Sequence, residues 1–493
     1  MKLCTLLSAV WPVFAGLVLL VWKPENKKAR SAYALSNVVL TSVFVLTTCA
    51  AAAKNGGASV APKAIVLNDL LSIALCPDGP SIVFGAIIGV LWPITTVYAF
   101  SYMEHENNLN MFFGFFLISY GVVAGIAFSG NMFTMYLFYE LMTLATLPLV
   151  MHEMNGKARS AGKKYVIYSM SGAALIFIAM VILAKYGTTL DFVLGGVPDP
   201  AKTGGAENIL RLVYVLGFFG FGVKAAIFPL HDWLPSASVA PTPVTALLHA
   251  VAVVKAGAFG VMRLTYYSFG TEMMRGTWAQ TVVVCAAAVT IVYGSSMALR
   301  AGHLKRRLAY STVANLSYIL LGFAAMCPAG LTGGLLHMIF HAVIKIALFF
   351  CAGAILHTNS LEYIDDFERL GSRMPVTCGV FVFMGIALSG IPPLGGFISK
   401  WTIGTAVLEG LTPAGFIGAA ALIISAILTM LYIMTTVIKF FFPTAEAPEL
   451  PGNVHEADRR MTVPMIVLCV LCLVLSLCSS TLVQLLSGIS SGM

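Results

Sequence analysis

The residues in this chain whose types and spacing suit proton chemistry are few, and they lie in apolar surroundings. Glu140 falls in GNMFTMYLFYELMTLATLPL, about nine residues into a helix and so ~14 Å deep. An ionisable side chain at such depth is costly unless it is paired or hydrated. Lys224 lies in GFFGFGVKAAIFPLHDWLP, shortly before Pro229. A proline there removes a backbone hydrogen bond and breaks the helix. Inside a membrane such a break is tolerated only where protein or a water-filled cavity satisfies the freed groups. Desolvation and a carboxylate partner act oppositely on the proton affinity of a lysine, so Lys224 is well placed to titrate. Glu140 is the deep carboxylate at hand, and Glu140–Lys224 is the expected pair. A purely structural ion pair, or a lysine snorkelling to the nearer surface, is the blander reading.

Lys255 lies about thirteen residues into the helix that follows Pro241-Thr242-Pro243, near the midplane. His249 precedes it by six residues, about 120° away on a helix, so the two need not touch directly. His337, His341 and Lys345 (HMIFHAVIK) repeat every four residues and share one helical face. Imidazole titrates near neutrality and both accepts and donates, which a proton relay requires. The H-x-x-x-H spacing also suits a metal, but the glutamate of H-E-x-x-H is absent and no third ligand stands out. No metal is expected. Lys400 follows a second break, LSGIPPLGGFISKW, with Pro392, Pro393, Gly395 and Gly396. On an unbroken helix it would be an interfacial anchor beside Trp401.

The elements that must position these groups are membrane helices. Of 493 residues, 59% are hydrophobic and 10% charged, too few charges to cover a water-facing surface. The apolar runs are long enough to cross a bilayer. Spans are expected near 4–22, 31–53, 80–102, 110–128, 131–152, 164–184, 208–231 and 242–266. Six more fall near 279–299, 309–327, 333–357, 375–404, 412–439 and 461–486. The fold class is an all-α integral membrane protein with about 14 transmembrane helices.

The positive-inside rule orients them. The loops after the first, fifth, ninth, eleventh and thirteenth spans carry seventeen basic residues, among them Lys164 and Arg307, against eight opposite, among them Arg263. Both termini then lie outside a plasma or inner membrane. The net charge of +8 becomes a topology signal, and no nucleic-acid partner is needed. Four basic residues remain inside spans: Lys224, Lys255, Lys345 and Lys400. The CxxC at Cys469 and Cys472 sits in LCVLCLVL without a second pair or a nearby histidine, which marks packing cysteines.

The breaks at Pro229 and Pro393 are spaced like the starts of the fourth and ninth spans. Two inverted five-helix repeats with a broken helix each are therefore expected. The division is 1–105 for the first three spans, 106–270 and 271–442 for the repeats, and 443–493 for a cytoplasmic loop and a last helix.

The chain resembles an antiporter-like subunit of respiratory complex I, of Mrp-type cation/proton antiporters and of membrane-bound hydrogenases. The residues that carry the resemblance are FYELMTLATLPL, KAAIFPLHDWLPSASVAPTPVTALLHAVAVVKAG, LKRRLAYSTVANLSYILLG, HMIFHAVIKIALFF and SGIPPLGGFISKW. By position, the resemblance implies that Glu140 and Lys224 form a coupling ion pair, Lys255 connects and Lys400 carries protons on the exit side. His249, His337, His341 and Lys345 would line the hydrated axis. It also implies membrane subunits as partners, with protons and in some members sodium as the transported ions.

No nucleotide loop, flavin fingerprint or iron–sulfur cysteine pattern appears, so no cofactor is expected and electron transfer would belong to partner subunits. One deep carboxylate against four lysines makes a poor sodium site, since sodium prefers oxygen ligands as other hard cations do. The expected function is proton translocation along a buried Glu/Lys/His axis within a redox-driven complex. The alternative is a D-type subunit of a multisubunit sodium/proton antiporter.

Overall fold

The structure, a computed structural model, describes residues 2–54, 63–68, 71–443 and 454–491. Residues 444–453 of the expected cytoplasmic loop lie outside the described residues. The chain is almost entirely helical: α1 (Lys2–Trp22), α2 (Lys27–Lys54), α3 (Gly79–Tyr102), α4 (Leu109–Ala127), α5 (Met132–Val150) and α6 (Gly156–Tyr186) come first. Then follow α7 (Glu207–Lys224), α8 (Thr242–Ala250), α9 (Val253–Met262), α10 (Trp278–Arg300), α11 (Leu304–Ala324) and α12 (Pro328–Asn359). The last are α13 (Pro375–Ser389), α14 (Gly395–Leu408), α15 (Pro413–Phe441), α16 (Arg459–Leu477) and α17 (Ser479–Ser490). A small antiparallel pair, β1 (Lys63–Val66) and β2 (Ser72–Ala74), links α2 to α3.

Side-chain caps set several starts by satisfying amide groups that have no partner within the helix. Asn131 accepts from the Thr134 amide at 2.7 Å to open α5, Asn155 does the same for Ala158 at α6, and Thr412 accepts from Gly415 at α15. Eleven helical segments of the described residues are long and apolar enough to cross a membrane. This is a multi-pass membrane protein. Large apolar side chains such as Leu144, Ile423 and Val470 are exposed on its outside, where hydrocarbon or a neighbouring subunit is a better solvent than water.

The interior is organised around α12, which packs on α3, α8, α11, α13, α14 and α16. Beside it the segment Thr242–Phe269 is buried throughout its most apolar stretch. Three interruptions lie near the centre. As expected, α7 stops at Lys224 before Pro229, and Pro392-Pro393 separates α13 from α14. A third, at Val251–Ala252 between α8 and α9, has neither proline nor glycine to announce it. There both amides take the same carbonyl, Leu247 O, at 2.9 and 2.8 Å.

Arg263 and Arg307, expected in loops, are buried. The chain continues beyond α9 as a π-helical turn, Arg263–Phe269, which keeps Arg263 inside the bundle. Its guanidinium forms a fork with both carboxylate oxygens of Asp78, each at 2.6 Å, the bidentate geometry that arginine favours. Arg307 lies in the first turn of α11 and donates to Tyr432 O at 2.9 Å and Thr436 Oγ1 at 3.0 Å, tying α11 to α15.

Candidate proton-transfer site

Lys224 is the last residue of α7 and is fully buried. Its ammonium donates to the main-chain carbonyl of Tyr139 on α5 and lies 3.6 Å from the centroid of the Tyr139 ring. The Tyr139 hydroxyl in turn donates to Phe221 O at 3.3 Å. The lysine is therefore held by a carbonyl dipole and a ring face.

The expected Glu140–Lys224 ion pair is not closed: no nitrogen–oxygen distance between them falls within 4.0 Å. The reason is helical geometry. Consecutive residues point about 100° apart, and α5 meets Lys224 on the Tyr139 side. Glu140 turns instead to a half-buried face beside Leu141 and Leu144, which are 46% and 65% exposed. Its Oε1 is buried and has no hydrogen-bond partner among the described residues.

The backbone of α9 passes against the end of α7 at Gly257. A Cβ there would lie 2.5 Å from the Ala225 amide nitrogen, so only glycine permits this approach. Two residues earlier, Lys255 projects from the first turn of α9, just past the unannounced break. Its Nζ is 2.5 Å from Nδ1 of His341 on α12. One hydrogen bond joins the two nitrogens, and the tautomer of His341 decides which one donates. His249, on the other side of the break, does not join this contact. Its ring packs against Phe349 at 4.9 Å between centroids.

His337 and His341 lie on one face of α12 with ring centroids 6.0 Å apart, as their spacing predicted. His337 Nδ1 is 2.9 Å from Ser399 Oγ on α14. Lys345 leaves this line: its ammonium donates to Leu308 O at 3.0 Å and Ser311 Oγ at 2.6 Å on α11. Lys400 is half-buried and turns inward, while Trp401 beside it is 63% exposed. Its Nζ donates to Leu388 O at 2.7 Å and Ser389 O at 3.1 Å, the last carbonyls of α13. A cation there meets acceptors left open by the helix end and the negative pole of its dipole. Lys400 is thus a cap on the second break rather than an interfacial anchor.

Both ring nitrogens of His249, and the Nε2 atoms of His337 and His341, are buried without a partner among the described residues. Buried polar groups are nearly always satisfied, and water is the partner of suitable size. The line Lys255–His341–His337–Ser399 thus consists of groups that both accept and release a proton, with ring nitrogens along it that call for a further partner.

Neutral residues absent from the sequence reading complete the site. Tyr318 gives its ring face to Lys400 at 5.3 Å, its edge to His337, and its hydroxyl to Ser425 Oγ at 2.5 Å. Ser311 and the Tyr432 hydroxyl are 2.6 Å apart. The pairs Ser311–Tyr318 and Ser425–Tyr432 each recur at i and i+7, one face of a helix, and that stripe was the available signal.

A helical bundle with interrupted helices, enclosing buried lysines and histidines, defines a polytopic membrane scaffold. The chain belongs to the NADH:quinone oxidoreductase/Mrp antiporter transmembrane family, whose pattern it matches over residues 129–429. It is 33% identical over 405 residues to NADH-quinone oxidoreductase subunit N of Desulforudis audaxviator, covering 79% of this chain and 78% of that one. It is 29% identical to Na(+)/H(+) antiporter subunit A1 of Staphylococcus haemolyticus, over 83% of this chain but only about half (52%) of that longer protein. In fold it is similar to a chain of the membrane-bound sulfane sulfur reductase, an archaeal respiratory membrane complex. That likeness covers 100% of this chain and 97% of the other, with a TM-score of 0.86 at 21% identity.

Proposed function

We propose that the chain is a proton-translocating, antiporter-like subunit of a multisubunit membrane complex of the complex I or hydrogenase kind. The observation that carries this reading is the 2.5 Å contact between Lys255 and His341, continued through His337 and Ser399. It links three helices by groups that exchange a proton without any change in heavy-atom bonding. In this reading Lys224 loads the line, Lys255 connects its halves and Lys400 ends it. Glu140, lying on the lateral face beside Lys224, answers to a neighbouring membrane subunit. The energy is supplied by partner subunits of the complex.

The finer architecture belongs to the same reading. Fourteen spans result when α8–α9, α13–α14 and α16–α17 are each counted as one crossing, with both termini on the outer side of a plasma or inner membrane. Residues 106–270 and 271–442 form two inverted five-helix units. Each contains an interrupted helix, and the offset of the breaks supports the repeat.

A D-type subunit of a sodium/proton antiporter is the second reading, favoured by the similarity to the staphylococcal antiporter subunit. Protons remain the ion expected along this axis in either case. The test is the Lys224→Ala chain in its assembled complex, reconstituted in vesicles with a pH-sensitive dye and assayed with and without sodium. Proton transport is expected to be lost. Transport at the normal rate would refute the lysine axis, and a strict sodium requirement would favour the second reading.

A further inference from the structure

A second set of titratable groups lies away from the axis, where α3 and α12 end and α16 begins. A cavity of about 540 Å³ opens there, bordered by Tyr102, Glu104 and His105 after α3, by His357 on α12, and by His455 and Asp458 before α16. The His105 and His357 rings face each other in parallel, 6.3 Å apart between centroids, and Tyr102 lies 5.0 Å from His357. Glu106 stands beside them, Arg460 pairs with Glu104 and Asp458, and Lys27 reaches Glu104 O at 3.4 Å. Imidazoles among carboxylates hold exchangeable protons near neutral pH, and acidic groups around a mouth raise the local proton concentration.

From this cavity a run of hydroxyl groups leads inward along the contact of α3, α8 and α12. The ring of Tyr98 lies parallel to that of Tyr102, with centroids 6.0 Å apart, and its hydroxyl donates to Phe350 O at 2.9 Å. Gly353 makes this junction possible. A Cβ there would lie 2.5 Å from the Tyr98 hydroxyl and 2.4 Å from Thr242 Cγ2, so the tyrosine and the threonine converge on one point. Thr242, Thr245 and His249 then follow at i, i+3 and i+7, on one face of α8. Thr242 and His249 are both 0% exposed. The Thr242 hydroxyl and both nitrogens of His249 have no partner among the described residues. Thr245 between them donates to Ala240 O at 2.9 Å, while the unsatisfied atoms at either end call for water, and the stripe leads from the cavity to the histidine nearest the break beside Lys255.

We propose that this cavity is the cytoplasmic mouth of the proton path. His357 and His105 exchange protons with solvent, and the Tyr98 hydroxyl and Thr242, with intervening water, pass them to and from His249. Only protons move, and each relay atom gives one up as it takes another. The inference rests on the axis and the orientation proposed above.

Three variants of the chain in its assembled complex test it: His105→Ala with His357→Ala, Thr242→Val, and His249→Ala. Proton flux would be read in vesicles at cytoplasmic pH from about 6 to about 8.5, a range that spans histidine titration. Assembly is checked by the amount of intact complex. The double histidine variant should run close to normal at the acid end, where protons are plentiful. At the alkaline end it should fall about tenfold, less than the roughly 100-fold or more of a lost acid or base at a reacting centre, because solvent still reaches the cavity. Thr242→Val keeps the shape of the side chain but removes the hydroxyl, and should lower flux at every pH. If His249→Ala lowers flux while the cavity variants and Thr242→Val match the parent at every pH, the mouth lies elsewhere and this inference fails alone. If His249→Ala also matches the parent, the axis reading loses that histidine as well.

Discussion

Lys255 and His341 meet nitrogen to nitrogen at 2.5 Å between α9 and α12, just past the interruption between α8 and α9. The break makes the contact possible. A continuous helix through Val251–Ala252 would turn Lys255 by the regular 100° per residue from His249, whereas the interruption resets its direction toward α12. Replacing Lys255 with alanine, or with arginine, which stays protonated at any working pH, should each lower proton flux about 100-fold or more. If Lys255→Arg kept normal flux, charge rather than proton exchange would be the role of this residue.

Tyr139 holds Lys224 through its carbonyl and ring face, neither of which Tyr139→Phe removes. Only the hydroxyl bond to Phe221 O is lost, a change of about 1 kcal/mol. Tyr139→Phe should therefore transport near the parent rate, while Tyr139→Leu, which loses the ring, should be impaired. Flux measurements on both variants in the same vesicles check this, and equal activity of the two would rule out the ring as part of the lysine seat.

Much of this site was legible because ionisable residues in apolar helices cannot hide. Glu140, the four lysines and the histidines stood out by type, and Pro229 and Pro393 announced their breaks through lost backbone hydrogen bonds. The Val251–Ala252 break left no such trace, because tertiary packing rather than local chemistry imposes it. The contact geometry was also beyond reach. Lys224 meets the carbonyl of Tyr139 and not the carboxylate one residue on, a distinction set by the rotation of α5 against α7. Arg263 is buried where a loop-facing residue was expected: the span 242–266 put it within a turn of the helix end, and the π-helical stretch to Phe269 keeps it inside the bundle.

The Arg263–Asp78 fork is a buried charge pair with one member 1% exposed. Removing one partner leaves the other unpaired, which typically costs about 3–5 kcal/mol. Asp78→Asn and Arg263→Met should both lower the melting temperature of the purified complex. The double variant should recover much of the loss, because no unpaired charge remains. Non-recovery would show that the fork acts through its wider contacts with Ser81 and the rings of Phe192, Phe259 and Tyr267.

Gly396 lets the start of α14 lie against the end of α13: a Cβ there would sit 1.9 Å from Ala387 O. Gly396→Ala must push the two half-helices apart, a strain of about 1–3 kcal/mol, and Lys400 then loses its grip on Leu388 and Ser389.

Lys400→Gln separates geometry from titration at that same break. The amide can still donate to the two carbonyls, so the junction should hold to within about 0.3–1 kcal/mol, the usual worth of a charge at a helix terminus. It cannot exchange a proton near neutral pH. Normal assembly with lost flux is the expected result for Lys400→Gln, whereas Gly396→Ala should weaken assembly and flux together. If Lys400→Gln transported protons at the parent rate, Lys400 would be a structural cap alone, and the line would end at Ser399.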